Sequence, residues 1–101
     1  SGTPVVVAAD GVVLSAGWQS DFGNNIDVDH GDGLTTRYAH LSRMNVKAGS
    51  LVKRGERIGA VGSTGRSTGS HLHFEVRMLG IAQNPAHFLK QGQEFALVKR
   101  R

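Results

Sequence analysis

The chain has 101 residues, of which 39% are hydrophobic, and its 12 lysines and arginines against 8 aspartates and glutamates give a net charge of +4. A chain of this length forms at most one domain, and no apolar run approaches the roughly 20 residues of a membrane-spanning helix, so we expect no membrane insertion. With no cysteine, any metal must be held by histidines and carboxylates. The positive charge favours an anionic partner. It does not distinguish between nucleic acid, a membrane surface and an acidic wall polymer.

The first half of the chain predicts short antiparallel strands joined by glycine turns. The sequence has 14 glycines and 2 prolines, which favours tight turns with positive φ. Two Asp-Gly dipeptides separate short apolar runs: Asp10-Gly11 between residues 5–8 and 12–16, and Asp32-Gly33 between residues 25–30 and 34–40. Because Asp-Gly is typical of type I′ turns, we expect two β-hairpins.

The middle of the chain predicts further strands that bend sharply. Residues 46–62 place single aliphatic side chains between glycines, as in strands that pass around a small barrel or sandwich. A glycine- and serine-rich loop follows at residues 62–70. Its spacing does not fit a phosphate-binding loop, because Ser67 and Thr68 stand where that motif needs Gly and Lys.

Residues 71–78 form the clearest predicted strand, because apolar and polar side chains alternate along it. One face carries Leu72, Phe74, Val76 and Met78, and the other carries His71, His73, Glu75 and Arg77.

Residues 84–89 predict a short helix with Asn84 as its N-cap and Pro85 in its first turn. Residues 90–101 read as a loosely held tail. Only 6% of all residues are aromatic, so its final basic residues do not predict nucleic-acid binding.

The pair His71-x-His73 is the strongest chemical signal in the sequence. Side chains at i and i+2 of a strand point to the same side, so both imidazoles can converge on one metal ion or one substrate atom. Spacing alone favours the interpretation that the two histidines lie on the solvent-facing side of a strand over the interpretation that they form a metal or catalytic site. The same holds for His40 as a strand-end residue, and we expect structural roles for His30 and His87.

Taken in order, the motifs of this chain resemble one known family. They are Gly2-Thr-Pro-Val5, Ala9-Asp-Gly-Val12, Tyr38-Ala-His-Leu41, Val52-Lys-Arg-Gly55, Gly62-Ser-Thr-Gly-Arg-Ser-Thr-Gly69, His71-Leu-His-Phe-Glu75 and Asn84-Pro85. Their order and spacing resemble the LytM-type (M23, lysostaphin-like) zinc metallopeptidase domain, and the resemblance covers residues 1–89.

The resemblance implies an all-β, antiparallel split barrel or sandwich of the lipoyl/biotinyl hybrid-motif type, with one short C-terminal helix. It also implies a zinc-dependent endopeptidase that cleaves peptide stems or cross-bridges of peptidoglycan in the bacterial cell envelope. By the same resemblance, His73 is a zinc ligand, and His40 and His71 are the catalytic histidines.

The family's other two zinc ligands come from an early His-x-x-x-Asp motif, which lies just before the Gly-Thr-Pro-Val segment. No His-x-x-x-Asp occurs in these 101 residues, so we expect those ligands upstream of Ser1. The chain alone is then expected to bind zinc weakly or not at all and to be inactive.

Two other functions remain open at this point. A degenerate domain of the same family could activate or scaffold cell-wall amidases without catalysis. A lipoyl or biotinyl carrier, or a sugar-transport phosphocarrier, would share the fold. Lys47 and Lys53 lie beside glycine turns but lack the hydrophobic neighbours that a lipoyl or biotinyl carrier lysine needs, so the carrier reading is weaker.

Overall fold

Among the residues that the structure describes, eight strands set the sheet topology. The computed structural model describes residues 2–65 and 71–84. In chain order the strands are β1 (Pro4–Val6), β2 (Gly11–Gln19), β3 (Gly23–Asp29), β4 (Leu34–Met44), β5 (Leu51–Val52), β6 (Arg57–Val61), β7 (His73–Met78) and β8 (Ile81–Gln83). They form one antiparallel sheet in the order β1-β6-β4-β3-β2-β5, with β7 paired to β4 and β8 paired to β7.

The all-β antiparallel prediction is confirmed, since the described residues contain strands and turns but no helix. No membrane-crossing helix occurs among those residues either. The sequence predicts a helix at residues 84–89. All of this range except Asn84 lies outside the described residues. The tail at residues 90–101 also lies outside the described residues.

Strand β4 organises the sheet because it has three neighbours. One of its edges pairs with β3. Its other edge pairs first with β7, from Leu34 to Ala39, and then with β6, from Leu41 to Met44. The change of partner falls at His40, whose φ is +60°. The strand predicted to end at His40 therefore continues for four more residues beyond this bend.

The predicted hairpin at Asp32-Gly33 is confirmed. Strands β3 and β4 pair in antiparallel register, with Asp29 opposite Thr35. The two turn residues have φ of 53° and 80°, the positive values that both central positions of a type I′ turn require.

The predicted hairpin at Asp10-Gly11 is wrong. Strand β1 pairs with β6, whereas β2 pairs with β3 and β5. Gly11 does not have a positive φ. A Cβ atom at this position would lie 2.5 Å from the main-chain oxygen of Asp29, so close packing against β3 accounts for the glycine here. Asp10 instead accepts a hydrogen bond of 2.7 Å from the main-chain nitrogen of Arg54.

The core lies on the apolar face of the sheet, where side chains from β3, β4 and β6 pack together. Ile26, Leu41 and Ile58 have no exposed surface. In β7, Val76 is fully buried, and Phe74 and Met78 pack against buried clusters, as the alternation predicts. The strand itself begins at His73 rather than at residue 71, and Leu72 before it is 38% exposed.

A chain of hydrogen bonds crosses this core. The Nδ1 atom of His30 lies 2.7 Å from the main-chain oxygen of Asp10, and its Nε2 atom lies 2.7 Å from the hydroxyl of Thr36. That hydroxyl is 2.9 Å from the hydroxyl of Tyr38, which accepts a hydrogen bond from the main-chain nitrogen of Ala8. All of these side-chain polar atoms are therefore satisfied inside the protein. His30 thus has a structural role, as expected.

Candidate active site

His40 lies at the bend of β4, in a backbone conformation that is uncommon for a residue with a side chain. It is only 6% exposed. Its main-chain N–H donates to the main-chain oxygen of Phe22 at 2.8 Å, outside the regular hydrogen-bond ladder between the strands. Left-handed backbone at a non-glycine residue costs free energy and is enriched at functional sites. The bend turns the imidazole toward the end of β7.

His71 and His73 meet His40 at this end of β7. His73 lies opposite Ala39, the neighbour of His40, in the β4–β7 register. The ring centroid of His40 is 5.3 Å from that of His71 and 5.7 Å from that of His73. Three histidines from two distant parts of the chain are thus brought within one small volume. Strand periodicity grouped His71 with His73, but it did not connect either one with His40.

A carboxylate fixes the orientation of the His73 ring. The Nε2 atom of His73 is 2.7 Å from Oε2 of Glu75, and the other oxygen of Glu75 accepts a hydrogen bond of 2.8 Å from Arg77. Since a carboxylate accepts hydrogen bonds, Nε2 carries the proton and Nδ1 keeps its lone pair in the neutral ring. Desolvation opposes the charge of Glu75, but the hydrogen bonds from His73 and Arg77 outweigh it and lower the pKa of Glu75.

An aromatic ring and an ion pair border the histidines. Phe22 packs against His73 with ring centroids 5.7 Å apart, and the guanidinium of Arg37 lies 4.6 Å from the centre of the Phe22 ring. Arg37 also donates two hydrogen bonds to Asp27, at 2.7 and 2.9 Å. These hydrogen bonds and the charge of Asp27 raise the pKa of Arg37 despite its partial burial. Opposite charges are therefore matched along this side of the site.

The described residues do not form a complete metal site by themselves. Among residues 2–65 and 71–84, no group of three or more His, Cys, Asp or Glu side chains is arranged to hold a metal ion. His73 nevertheless has the features of a ligand, since its Nε2–H is held by a carboxylate and its Nδ1 lone pair is available. A zinc ion at Nδ1 would need further ligands from elsewhere.

Three residues near the histidines were not singled out as functional by the sequence. Glu75 could have been found, because it shares a strand face with His73 at a spacing of two. Phe22 and Thr64 carry no such signal. Phe22 lies in the turn between β2 and β3, and Thr64 lies in the loop after β6. Only the fold brings them to His73 and His40.

Comparison with known proteins gives a consistent set of relatives. The model of Peptidase family M23 matches residues 1–85. The DD-carboxypeptidase/endopeptidase Mpg of Neisseria meningitidis serogroup B is 50% identical over 84 residues, which are 83% of this chain and 19% of that protein. The peptidoglycan DD-endopeptidase ShyC of Vibrio cholerae is 45% identical over 84 residues, with the same two shares. The chain thus spans about a fifth of the length of these curated relatives.

Solved structures show the same similarity. The catalytic domain of the antimicrobial peptidase lysostaphin from Staphylococcus simulans superposes with a TM-score of 0.83 at 44% identity, over 88% of this chain and 71% of that one. A zinc-containing peptidase from Vibrio cholerae superposes with a TM-score of 0.79 at 43% identity, over 81% of this chain and 25% of that one.

Proposed function

The chain belongs to peptidase family M23, and from that premise we propose that it forms part of a zinc-dependent endopeptidase that cleaves peptide stems or cross-bridges of bacterial peptidoglycan. The names of two relatives, a DD-carboxypeptidase/endopeptidase and a peptidoglycan DD-endopeptidase, support this substrate class. The protein then acts in the bacterial cell envelope, where peptidoglycan lies. The net charge of +4 favours approach to an acidic wall polymer.

One observation carries the proposal, namely the convergence of three histidines at the junction of β4 and β7. The rings of His71 and His73 both lie within 6 Å of the ring of His40, at 5.3 and 5.7 Å between centroids. His40 adopts a left-handed backbone conformation to reach this position. A strained backbone and grouped imidazoles are typical of a catalytic site rather than of a solvent-facing strand.

In the proposed site, His73 binds zinc through Nδ1, and the hydrogen bond from Nε2 to Glu75 holds the ring in place. The other two ligands would be a histidine and an aspartate of a His-x-x-x-Asp segment preceding Ser1 in the full-length protein. When bound, zinc polarises a carbonyl oxygen and lowers the pKa of a water molecule to about 7.

His40 and His71 are the proposed acid–base pair. The Nδ1 atom of His40 lies 2.6 Å from the main-chain oxygen of Thr64. A carbonyl oxygen only accepts hydrogen bonds, so Nδ1 carries a proton and the Nε2 lone pair of the neutral ring can accept one. His71 is exposed and can exchange protons with solvent. Such a pair can remove a proton from the attacking water and donate one to the reacting group.

The experiment measures zinc content and cleavage of purified muropeptides by the full-length protein and by three variants, His40→Ala, His71→Ala and His73→Ala. We expect His40→Ala and His71→Ala to keep zinc and to lose about 10²- to 10⁴-fold in kcat/KM, as is usual for a general acid or base. His73→Ala should lose both zinc and activity. His87→Ala, at a histidine outside the described residues that is expected to have a structural role and no catalytic one, is the control.

A wild-type protein that binds no zinc and cleaves no muropeptide would contradict the proposal. Stimulation of a cell-wall amidase by that inactive protein would support instead the alternative of a non-catalytic activator. This alternative is not favoured, because His40, His71 and His73 are all present and lie together.

A further inference from the structure

Thr64 connects the candidate catalytic residue His40 to two other parts of the fold. Its main-chain oxygen is the partner of Nδ1 of His40, at 2.6 Å. Its hydroxyl donates a hydrogen bond of 2.7 Å to the main-chain oxygen of Leu41 and accepts one of 3.2 Å from the main-chain nitrogen of Asn24. One residue thus uses both its backbone and its side chain to join the loop after β6 to β3 and β4.

The two partners of the Thr64 hydroxyl, Leu41 and Asn24, are also bonded to each other. The main-chain oxygen of Leu41 also accepts a hydrogen bond of 3.1 Å from the side-chain amide of Asn24. Asn24 is opposite Leu41 in the β3–β4 register. The hydroxyl therefore bonds to two paired strands, β3 and β4, just past the bend at His40, and its position depends on both.

Two glycines allow this loop to come so close. A Cβ atom added to Gly23 would lie 2.4 Å from the carbonyl carbon of Thr64, and one added to Gly65 would lie 2.3 Å from the main-chain nitrogen of Gly23. Both glycines have positive φ. The loop and the β2–β3 turn are therefore in direct backbone contact, and no side chain fits between them.

We propose that Thr64 is a positioning residue for catalysis, whose hydroxyl holds its own carbonyl against Nδ1 of His40 and thereby keeps the Nε2 lone pair of His40 directed to the substrate. The inference rests on the proposed function, since it assigns His40 an acid–base role. A histidine needs the correct tautomer as well as the correct place, because only the unprotonated nitrogen can accept a proton. Thr64 does not touch the substrate and acts through His40.

The test compares Thr64→Val with Thr64→Ser in the full-length protein. Valine keeps the shape of threonine without its hydroxyl, whereas serine keeps the hydroxyl without the methyl group. We expect Thr64→Val to lower kcat on muropeptides by about 10- to 100-fold with KM changed less than about threefold, the scale seen when the partner of a functional histidine is removed. Thr64→Ser should stay within about threefold of the wild-type kcat.

A spectroscopic measurement reads the tautomer without activity. The ¹⁵N chemical shifts of the His40 ring should show a proton on Nδ1 in the wild-type protein and in Thr64→Ser, and a mixture of tautomers in Thr64→Val. Thr64→Ala is measured in parallel in case the valine variant does not fold. Thr3→Val, at an exposed threonine before β1, is the matched control and should match the wild type in both measurements.

Three outcomes would overturn the inference. One is a wild-type His40 protonated on Nε2 instead of Nδ1. Another is a folded Thr64→Val or Thr64→Ala variant with unchanged tautomer and kcat. The third is an equal loss in Thr64→Ser and Thr64→Val, which would assign the effect to packing of the methyl group. If the wild-type protein cleaves no peptidoglycan, the proposed function fails, while the NMR measurement still decides whether Thr64 sets the tautomer.

Discussion

Glu75 determines which nitrogen of His73 is available to a metal ion. Its carboxylate lies 2.7 Å from Nε2 of His73 and is itself held by Arg77. Carboxylates in this position fix the ring orientation of a ligating histidine and make it a stronger ligand. In the proposed zinc site, removal of Glu75 should change zinc affinity without removing a ligand.

We therefore expect Glu75→Leu to weaken zinc binding by the full-length protein about 10- to 100-fold, the usual effect of losing such a partner. Glu75→Gln keeps an acceptor oxygen for Nε2 and should lose less. The zinc dissociation constant, measured by competition with a chelator, checks both. Glu56→Gln, at an exposed glutamate in the turn before β6, should leave it unchanged, and an unaltered affinity in Glu75→Leu would contradict the assigned role.

Part of the candidate site could be predicted at the level of single residues. The alternation in β7 correctly placed Phe74 and Val76 on the buried face and His73 on the other. The contact between His40 and Thr64 could not be predicted, because it depends on a main-chain carbonyl in an irregular loop. Sequence patterns report side-chain periodicity and turn preference, and neither constrains such a carbonyl.

The sequence contains two Asp-Gly dipeptides that both predict a hairpin turn, and only one of them forms it. Asp32-Gly33 forms the expected turn, with positive φ at both residues. Asp10-Gly11 leads into β2, which begins at Gly11 and whose partners, β3 and β5, come later in the chain. A glycine needed for close packing cannot be distinguished by sequence from a glycine needed for a turn. The local turn signal was therefore correct only where the flanking strands are also neighbours in the sheet.

This difference predicts unequal effects of two substitutions within β2. A Cβ atom at position 11 would lie 2.5 Å from a main-chain oxygen, whereas one at position 17 would meet nothing within 4 Å. Neither glycine has positive φ. Gly11→Ala should lower the free energy of unfolding by about 1 to 3 kcal/mol, as overpacking does. Gly17→Ala should change it by less than about 1 kcal/mol, in the stabilising direction.

Urea-induced unfolding followed by circular dichroism checks this pair. The two variants make the same chemical change in the same strand, so Gly17→Ala is the matched control for the change in strand propensity. Equal stabilities of the two variants would show that the approach of β3 to Gly11 does not limit side-chain size.

The stability of the whole molecule should depend on pH through Tyr38. This is the sole tyrosine of the chain, and its hydroxyl joins β4 to the segment after β1. Burial raises the pKa of Tyr38, although hydrogen bonds from Thr36 and Ala8 partly oppose the shift. Because the folded-state pKa is above the unfolded value of about 10, the contribution of the neutral hydroxyl is complete below pH 10.

We accordingly expect the free energy of unfolding to fall as the pH rises above about 10 toward the raised pKa of Tyr38. Tyr38→Phe should be less stable at neutral pH by about 1 to 3 kcal/mol, because the partly buried main-chain N–H of Ala8 and the buried hydroxyl of Thr36 both lose their acceptor. The same variant should lose less stability between pH 9 and pH 11 than the wild type. Urea titrations across this range provide the measurement, and parallel curves for the two proteins would exclude the contribution of Tyr38.

The change of partner along β4 also determines when the three histidines come together during folding. His40 is brought to His71 and His73 only when β4 has paired with β3, β6 and β7, and the last two of these strands follow it in the chain. Pairings between segments far apart in sequence form late, because the intervening loops must first lose their entropy. An unfolded chain therefore contains all three histidines but does not group them. The proposed catalytic site is therefore assembled only when these pairings are complete, and an unfolded chain has none of its geometry.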